Sequence, residues 1–195
     1  MKPAIIGIYG KSNTGKTTLM VDIINKLTEE GFKIASVKIS DKNIDIDSEG
    51  KDTWNHAKAG SKLVVLCSKN ETDFLLKKRE NIDKVVEQIS SIGNYDIILV
   101  EGAKENYMPK IRLGDIDIRE NTVLTYSGDF KELIGLIKKE INRRNYMKDM
   151  LIKVNGEPIP LTEFPTEFIK NTVCGMLKSL KGVDEIKDIE IRFEM

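Results

Sequence analysis

Cysteine is too scarce in this chain to build with. Cys67 and Cys174 are the only two in 195 residues, each isolated in apolar sequence, so neither a disulfide framework nor a CxxC metal site is available. Both are expected in the core, where free cysteine usually sits. Histidine is scarcer still. His56 stands alone, with no second His or Cys at ligand spacing, which argues against a metal centre built on it. It and the lone Trp54 are read as structural residues on a short helix. Net charge is absent as well: 31 basic residues balance 31 acidic ones, leaving no field that would gather nucleic acid. Long apolar runs are missing too. Ile97-Ile98-Leu99-Val100 is far too short to cross a bilayer, and Met1-Lys2-Pro3 leads into a strand-like segment instead of a signal peptide. These absences point to a cytoplasmic protein without membrane or nucleic-acid partners.

What is present is an ordinary globular composition, 40% hydrophobic and 32% charged, in a chain long enough for one domain and a small appendage. Ala4 to Tyr9 is a short apolar run ending at Gly10, the signature of a strand buried on both faces. Met20, Ile23, Ile24 and Leu27 then recur at helical spacing within Thr17 to Glu30, and Gly31 supplies a stop. Lys33 to Ile39 reads as a second strand and Ser61 to Cys67 as a third, with a polar loop and a short helix near Trp54 to Ala59 between them. Ile82, Val85, Val86, Ile89 and Ile92 mark another helix. Asp96 to Val100, Lys110 to Leu113 and Thr122 to Tyr126 follow as strands, and Leu133, Ile134, Ile137 and Ile141 as a helix.

Buried strands alternating with amphipathic helices predict an α/β fold of the P-loop NTPase type, a largely parallel sheet flanked by helices. This nucleotide-binding domain spans residues 1–145. Polar Asn142 to Asp149 breaks the rhythm, and a small C-terminal α+β module is expected over 150–195. Its parts are a hairpin turning at Asn155-Gly156, a helix with the stripe Ile169, Val173, Met176, Leu177 and Leu180, and a strand through Ile189, Ile191 and Phe193.

The chemistry concentrates near the N-terminus. Gly10-Lys11-Ser12-Asn13-Thr14-Gly15-Lys16-Thr17 fits GxxxxGK[ST] between a predicted strand and a predicted helix, the context that confirms a P-loop. Glycines let the backbone wrap phosphates, successive N–H groups point inward, and the helix start adds its positive end. Lys16 is expected to reach the β- and γ-phosphates, Thr17 to ligate magnesium, and Thr18 to bond the α-phosphate. Such a loop needs an acid on the magnesium shell, at the end of a neighbouring hydrophobic strand. Val100-Glu101-Gly102 supplies Glu101, with Gly102 letting the chain turn near the γ-phosphate.

The acidic loop Asp45-Ile46-Asp47-Ser48-Glu49-Gly50-Lys51-Asp52-Thr53 follows the second strand. Asp45 or Asp47 is placed to approach magnesium or an attacking water, and a solvated acidic loop is the competing reading. Lys77-Lys78-Arg79 is read as a solvated turn in preference to a basic lid. No Asn-Lys-x-Asp pattern names the base, and no arginine stands out as a finger in cis.

The P-loop, Asp45-Ile46-Asp47, Gly50-Lys51-Asp52-Thr53, Ala59-Gly60-Ser61 and Leu99-Val100-Glu101-Gly102-Ala103-Lys104 together resemble the molybdopterin-guanine dinucleotide biosynthesis protein B (MobB) family. The likeness covers roughly residues 1–145. It implies a GTP-binding, weakly hydrolysing, magnesium-dependent homodimer that assists the guanylyltransferase attaching GMP to molybdopterin, with molybdopterin itself a candidate ligand. It also implies nucleotide or magnesium contacts for Asp45, Asp47, Asp52 and Glu101. The chain departs from the family where Lys38-Ile39-Ser40-Asp41-Lys42 replaces a histidine-rich run and Ala103 replaces the usual Phe. A small-molecule P-loop kinase and a binding module without turnover are the competing functions.

Overall fold

The computed structural model describes residues 3–149, 152–159, 163–182, 186 and 189–191. In chain order the elements are β1 (Ala4–Gly10), α1 (Lys16–Glu29), β2 (Ile34–Lys38), α2 (Asp52–Lys58), β3 (Leu63–Cys67), β4 (Thr72–Leu76), α3 (Ile82–Ile92), β5 (Ile97–Glu101), β6 (Lys110–Leu113), β7 (Thr122–Tyr126), α4 (Phe130–Asp149), β8 (Ile152–Val154), β9 (Glu157–Ile159) and α5 (Glu163–Lys178). They fall into two compact units, Ile5–Gly128 and Met1–Ala4 with Asp129–Met195. The α4 helix, grouped with the sheet by its rhythm in the sequence, therefore belongs with the C-terminal elements.

The first unit is built on a five-stranded sheet in the order β2-β5-β1-β6-β7. The pairs β2–β5, β1–β6 and β6–β7 are parallel. All five residues of β5 are buried, as a strand covered on both faces requires. Alternation along β5 decides which helix each residue meets. Ile98 and Val100 join a cluster with Ile82, Ala103 and Met108, against which Val85, Val86 and Ile89 of α3 pack. Ile97, Leu99 and Glu101 consequently face the other way, and α1 packs against β5 on that side. There α1 buries Leu19, Met20, Ile23 and Leu27, each contributing about 1.5–3 kcal/mol by leaving water. The two helices thus cover opposite faces, and the C-terminal ends of β1 and β5 emerge beside the start of α1.

One of the strands expected in this sheet, β3, does not join it. β3 pairs antiparallel with β4 in a separate ribbon, closed by a turn in which Ser68 Oγ accepts from the Asn70 and Glu71 N–H groups at 3.3 and 3.1 Å. The mixed pattern of Thr72 to Leu76 concealed β4. Only Val64 of β3 is buried, so Cys67, expected in the core, is exposed, while Cys174 is half-buried.

In the second unit α4 runs through the polar stretch expected to end it, because 142–149 contains neither Gly nor Pro and its Arg and Lys residues suit a helix. It buries Leu133, Ile134, Ile137 and Ile141 and packs on α5. The hairpin β8–β9 forms as expected, with Asn155 and Gly156 both at positive φ, 53° and 86°, the geometry of a type I′ turn. On α5, Ile169, Val173 and Leu177 are half-buried, whereas Met176 and, two residues past the helix end, Leu180 are exposed. Ile189 and Ile191 are exposed and form no strand; Phe193 lies outside the described residues. Among the described residues no helix is long and apolar enough to cross a membrane.

Candidate functional site

The loop leaving β1 turns tightly. Asn13 and Gly15 have φ of 61° and 85°, and at Gly15, the residue before α1, a left-handed backbone admits glycine at least cost. Thr14 Oγ1 donates to the Lys11 carbonyl at 2.8 Å, and Lys16 Nζ donates to the same carbonyl, which folds the ammonium back along the loop. The α1 start carries no side-chain cap and no acid in its first turn. Its unmet N–H groups and positive dipole end are therefore left for an anion.

Opposite this helix start lies the end of β5. Glu101 is only 8% exposed, and its carboxylate accepts from Thr17 Oγ1 at 3.2 Å to each oxygen. Lys38 Nζ stands 3.4 Å from Glu101 Oε1, following from the β2–β5 register that sets Lys38 beside Glu101. Gly102 then turns the chain with φ of 86°, and its N–H donates to the Ile8 carbonyl at 2.8 Å. A side chain there would strike the Ile39 carbonyl, since a Cβ would lie 2.7 Å from its oxygen.

Between these two ends opens a cavity of about 730 Å³ whose lining includes Gly10, Ser12, Asn13, Gly15, Lys16, Thr17, Thr18 and Glu101. Of the loop residues singled out in the sequence, Lys11 and Thr14 do not line it, Thr14 serving the loop's own closure. Five basic side chains (Lys16, Lys38, Lys42, Lys104 and Arg119) and two acidic ones (Asp41 and Glu101) line the cavity. A chain of zero formal charge thus concentrates positive charge here, which suits a polyphosphate.

The acidic loop takes a different place. Asp45 and Asp52 are exposed and Asp47 is half-buried; none of the three lines the cavity. Asp47 Oδ1 accepts from the Ser48 N–H and from Thr53 Oγ1, both at 3.0 Å, tying the loop to the start of α2, and its Oδ2 is buried with no partner. Asp52 opens α2, where an acid suits the helix dipole. On that helix Lys58 Nζ lies 4.4 Å from the centre of the half-buried Trp54 ring, and His56 is exposed.

Several cavity residues carry no motif. Asp41, on the loop after β2, pairs with Lys104 Nζ at 2.5 Å and with Arg79 at 3.6 Å. The Lys104 hydrogen bond and charge, with Arg79 adding to them, hold the Asp41 carboxyl below its ordinary value. Arg79, read as part of a solvated turn, is largely exposed and pairs with Asp41 without lining the cavity. Arg119, on the loop after β6, lies with its guanidinium 4.6 Å from the Tyr9 ring centre. Lys38 and Lys104 lie inside segments already singled out in the sequence. Tyr9 and Arg119 gave no signal, because their meeting depends on the β1–β6 pairing.

Residues 5–139 match the family described as Molybdopterin guanine dinucleotide synthesis protein B. The chain belongs to the MobB family. A Haemophilus influenzae molybdopterin-guanine dinucleotide biosynthesis adapter protein is 34% identical over 111 residues, 56% of this chain and 62% of that protein. A Methanocaldococcus jannaschii protein, which bears the same name provisionally, is 26% identical over 98% of this chain and 97% of its own length. The crystal structure of Bacillus subtilis MobB superposes with a TM-score of 0.59 at 19% identity, covering 70% of this chain and 97% of that one. The fold is therefore that of MobB. The C-terminal module lies beyond the family match, but the M. jannaschii similarity extends across nearly the whole chain.

Proposed function

We propose that this MobB-family chain is an adapter of molybdopterin guanine dinucleotide synthesis that binds GTP with magnesium, hydrolyses it slowly and assists a guanylyltransferase. The observation that carries the reading is the Thr17–Glu101 pair facing an uncapped helix start. Its oxygen donors fit magnesium, which uses one or two protein oxygens and takes the rest from phosphate and water. A cage of three or more acids, histidines or cysteines is absent among the described residues, and such a cage is not what a triphosphate-bound magnesium needs. Thr17 is the direct ligand in this reading and Glu101 holds the water shell, where the ion would neutralise charge between the β- and γ-phosphates.

The remaining roles belong to the chain itself. Backbone N–H groups from Gly10 to Thr18 bind phosphate oxygens, and Lys16 leaves the Lys11 carbonyl to meet the β- and γ-phosphates. Asp45, Asp47 and Asp52 have weaker support for nucleotide or magnesium contact than Glu101, because the cavity is formed without them. A homodimer belongs to the same proposal, supported by Leu63, Val65, Leu66 and Phe74 exposed on β3–β4; molybdopterin and the guanylyltransferase are proposed from the names of the relatives. Phosphate release with and without small-molecule acceptors, and with a guanylyltransferase, tests the proposal. Slow GTP hydrolysis altered only by the guanylyltransferase supports it, and rapid transfer to a small acceptor supports a kinase instead.

A further inference from the structure

We propose that Arg119 is a catalytic residue of triphosphate hydrolysis, a cation supplied in cis to the γ-phosphate; this rests on the nucleotide reading above. Arg119 lines the same cavity as Lys16, Thr17, Glu101 and Gly102, and it is held there from several sides. Its Nη1 donates to the Ala103 carbonyl at 2.5 Å, its guanidinium sits over the Tyr9 ring, and its backbone N–H donates to Tyr9 Oη at 3.0 Å. Tyr9 is itself fixed, only 1% exposed and joined through its hydroxyl to Thr122 Oγ1 at 2.7 Å. The guanidinium is therefore positioned before any ligand arrives, at little further cost in side-chain entropy.

Its anchor fixes which end of the cavity it serves. Ala103 lies two residues beyond Glu101, the acid assigned to the magnesium shell, which in the nucleotide reading directs the guanidinium toward the γ-phosphate. Other arginines among the described residues differ in their partners, Arg143 pairing with Glu140. Arg112 pairs with Asp115 and Arg79 with Asp41, whereas no carboxylate among the described residues forms an ion pair with Arg119. A guanidinium has five N–H donors, and the Ala103 carbonyl engages only Nη1. The Nε and Nη2 donors remain for phosphate oxygens, which a planar fork matches.

In the step concerned, the oxygen of a water forms a bond to the γ-phosphorus. The bond from that phosphorus to the β,γ-bridging oxygen breaks, and GDP leaves with the electron pair. One water proton remains on the inorganic phosphate and the other passes to solvent. Charge spreads over the γ-phosphoryl oxygens during the transfer, and Arg119 stabilises it there.

The test uses the full chain, with Arg119→Ala and Arg119→Lys compared to wild type. It measures affinity for a fluorescent non-hydrolysable GTP analogue, affinity for GDP with aluminium fluoride, and the single-turnover GTP hydrolysis rate. Both variants are expected to bind the GTP analogue within about threefold of wild type and to hydrolyse GTP on the order of 100-fold or more slowly, because a lysine cannot reproduce the fork. Arg119→Ala should lose affinity for the aluminium fluoride complex selectively and regain rate when guanidinium ion is added at non-denaturing concentration. Should Arg119→Ala misfold, Arg119→Lys, which keeps a cation within reach of the Ala103 carbonyl, carries the comparison. Unchanged hydrolysis in a folded variant, or wild-type binding without turnover, overturns the role of Arg119 and leaves the binding reading intact. Failure of wild type to bind the analogue overturns that reading and this inference together.

Discussion

The Thr17 hydroxyl and the Glu101 carboxylate, 84 residues apart in the chain, meet at 3.2 Å. Strand alternation brings this about: β5 turns Glu101 to the side on which α1 lies, and the P-loop ends in the first turn of that helix. The expected consequence is that Glu101→Gln weakens magnesium-dependent GTP hydrolysis at least tenfold while changing GTP affinity by less than about threefold, since the carboxylate acts through the metal shell. Hydrolysis measured across a magnesium titration checks this, and equal activity in both forms would move the acid's role to another carboxylate.

Gly102 is required by its backbone as well as by its neighbours. With φ at 86° and a Cβ position 2.7 Å from the Ile39 oxygen, Gly102→Ala should destabilise the chain by about 1–3 kcal/mol. A lowered urea midpoint with an unchanged slope is the expected result. An unaltered midpoint would mean that the turn after β5 relaxes freely.

Asp41 gives a pH-dependent signature. Its carboxyl is held below the ordinary aspartate value, chiefly by the Lys104 hydrogen bond and charge and further by Arg79. A depressed folded value means the pairing stabilises the fold above the unfolded value and is lost as pH falls through the lower, folded one. Both partners are largely exposed, so the effect on stability is small. Carbon NMR of the side-chain carboxyl should show Asp41 titrating below free aspartate, with Lys104→Met raising it toward the ordinary range. Identical midpoints in the two proteins would remove the ion pair from the solution structure.

Much of this arrangement was legible from residue order. The strand-loop-helix context of Gly10 to Thr18 gave the tight turn between β1 and α1, and a fully apolar strand ending in Glu101 gave the acid that faces Thr17, because both signals are local. What escaped was set by pairing between distant segments. Leu63 to Cys67 has the apolar run of a sheet strand, yet its partner is Thr72 to Leu76, and that choice puts Cys67 on the surface. For the acidic loop the sequence left a metal approach and a solvated loop open, and placement again depends on distant segments. Asp45, Asp47 and Asp52 carry the charge expected of a metal site, but Asp47 spends its Oδ1 on Ser48 and Thr53, while the isolated Asp41 enters the cavity. Arg119 was invisible, since nothing in its neighbours predicts the Tyr9 ring beneath it.

Removing residues 150–195 should leave GTP affinity within a few fold of the full chain. Every cavity-lining residue lies between Tyr9 and Arg119, and Phe164, Phe168 and Met176 of α5, with Leu180 just after it, are exposed, as a contact surface for another protein requires. Calorimetric titration of a folded truncated chain checks this. Loss of binding there would make the C-terminal module part of the site.

In the proposed function, the cavity between the helix start and Glu101 holds the triphosphate of GTP through Lys16. Competition binding of GTP and ATP, with magnesium, to wild type and Lys16→Ala tests it most directly. Wild type should bind GTP in preference to ATP, and Lys16→Ala should lose binding of both while keeping the wild-type circular dichroism spectrum. Unchanged GTP affinity in natively folded Lys16→Ala would contradict the site, and equal or tighter competition by ATP in wild type would contradict the choice of GTP.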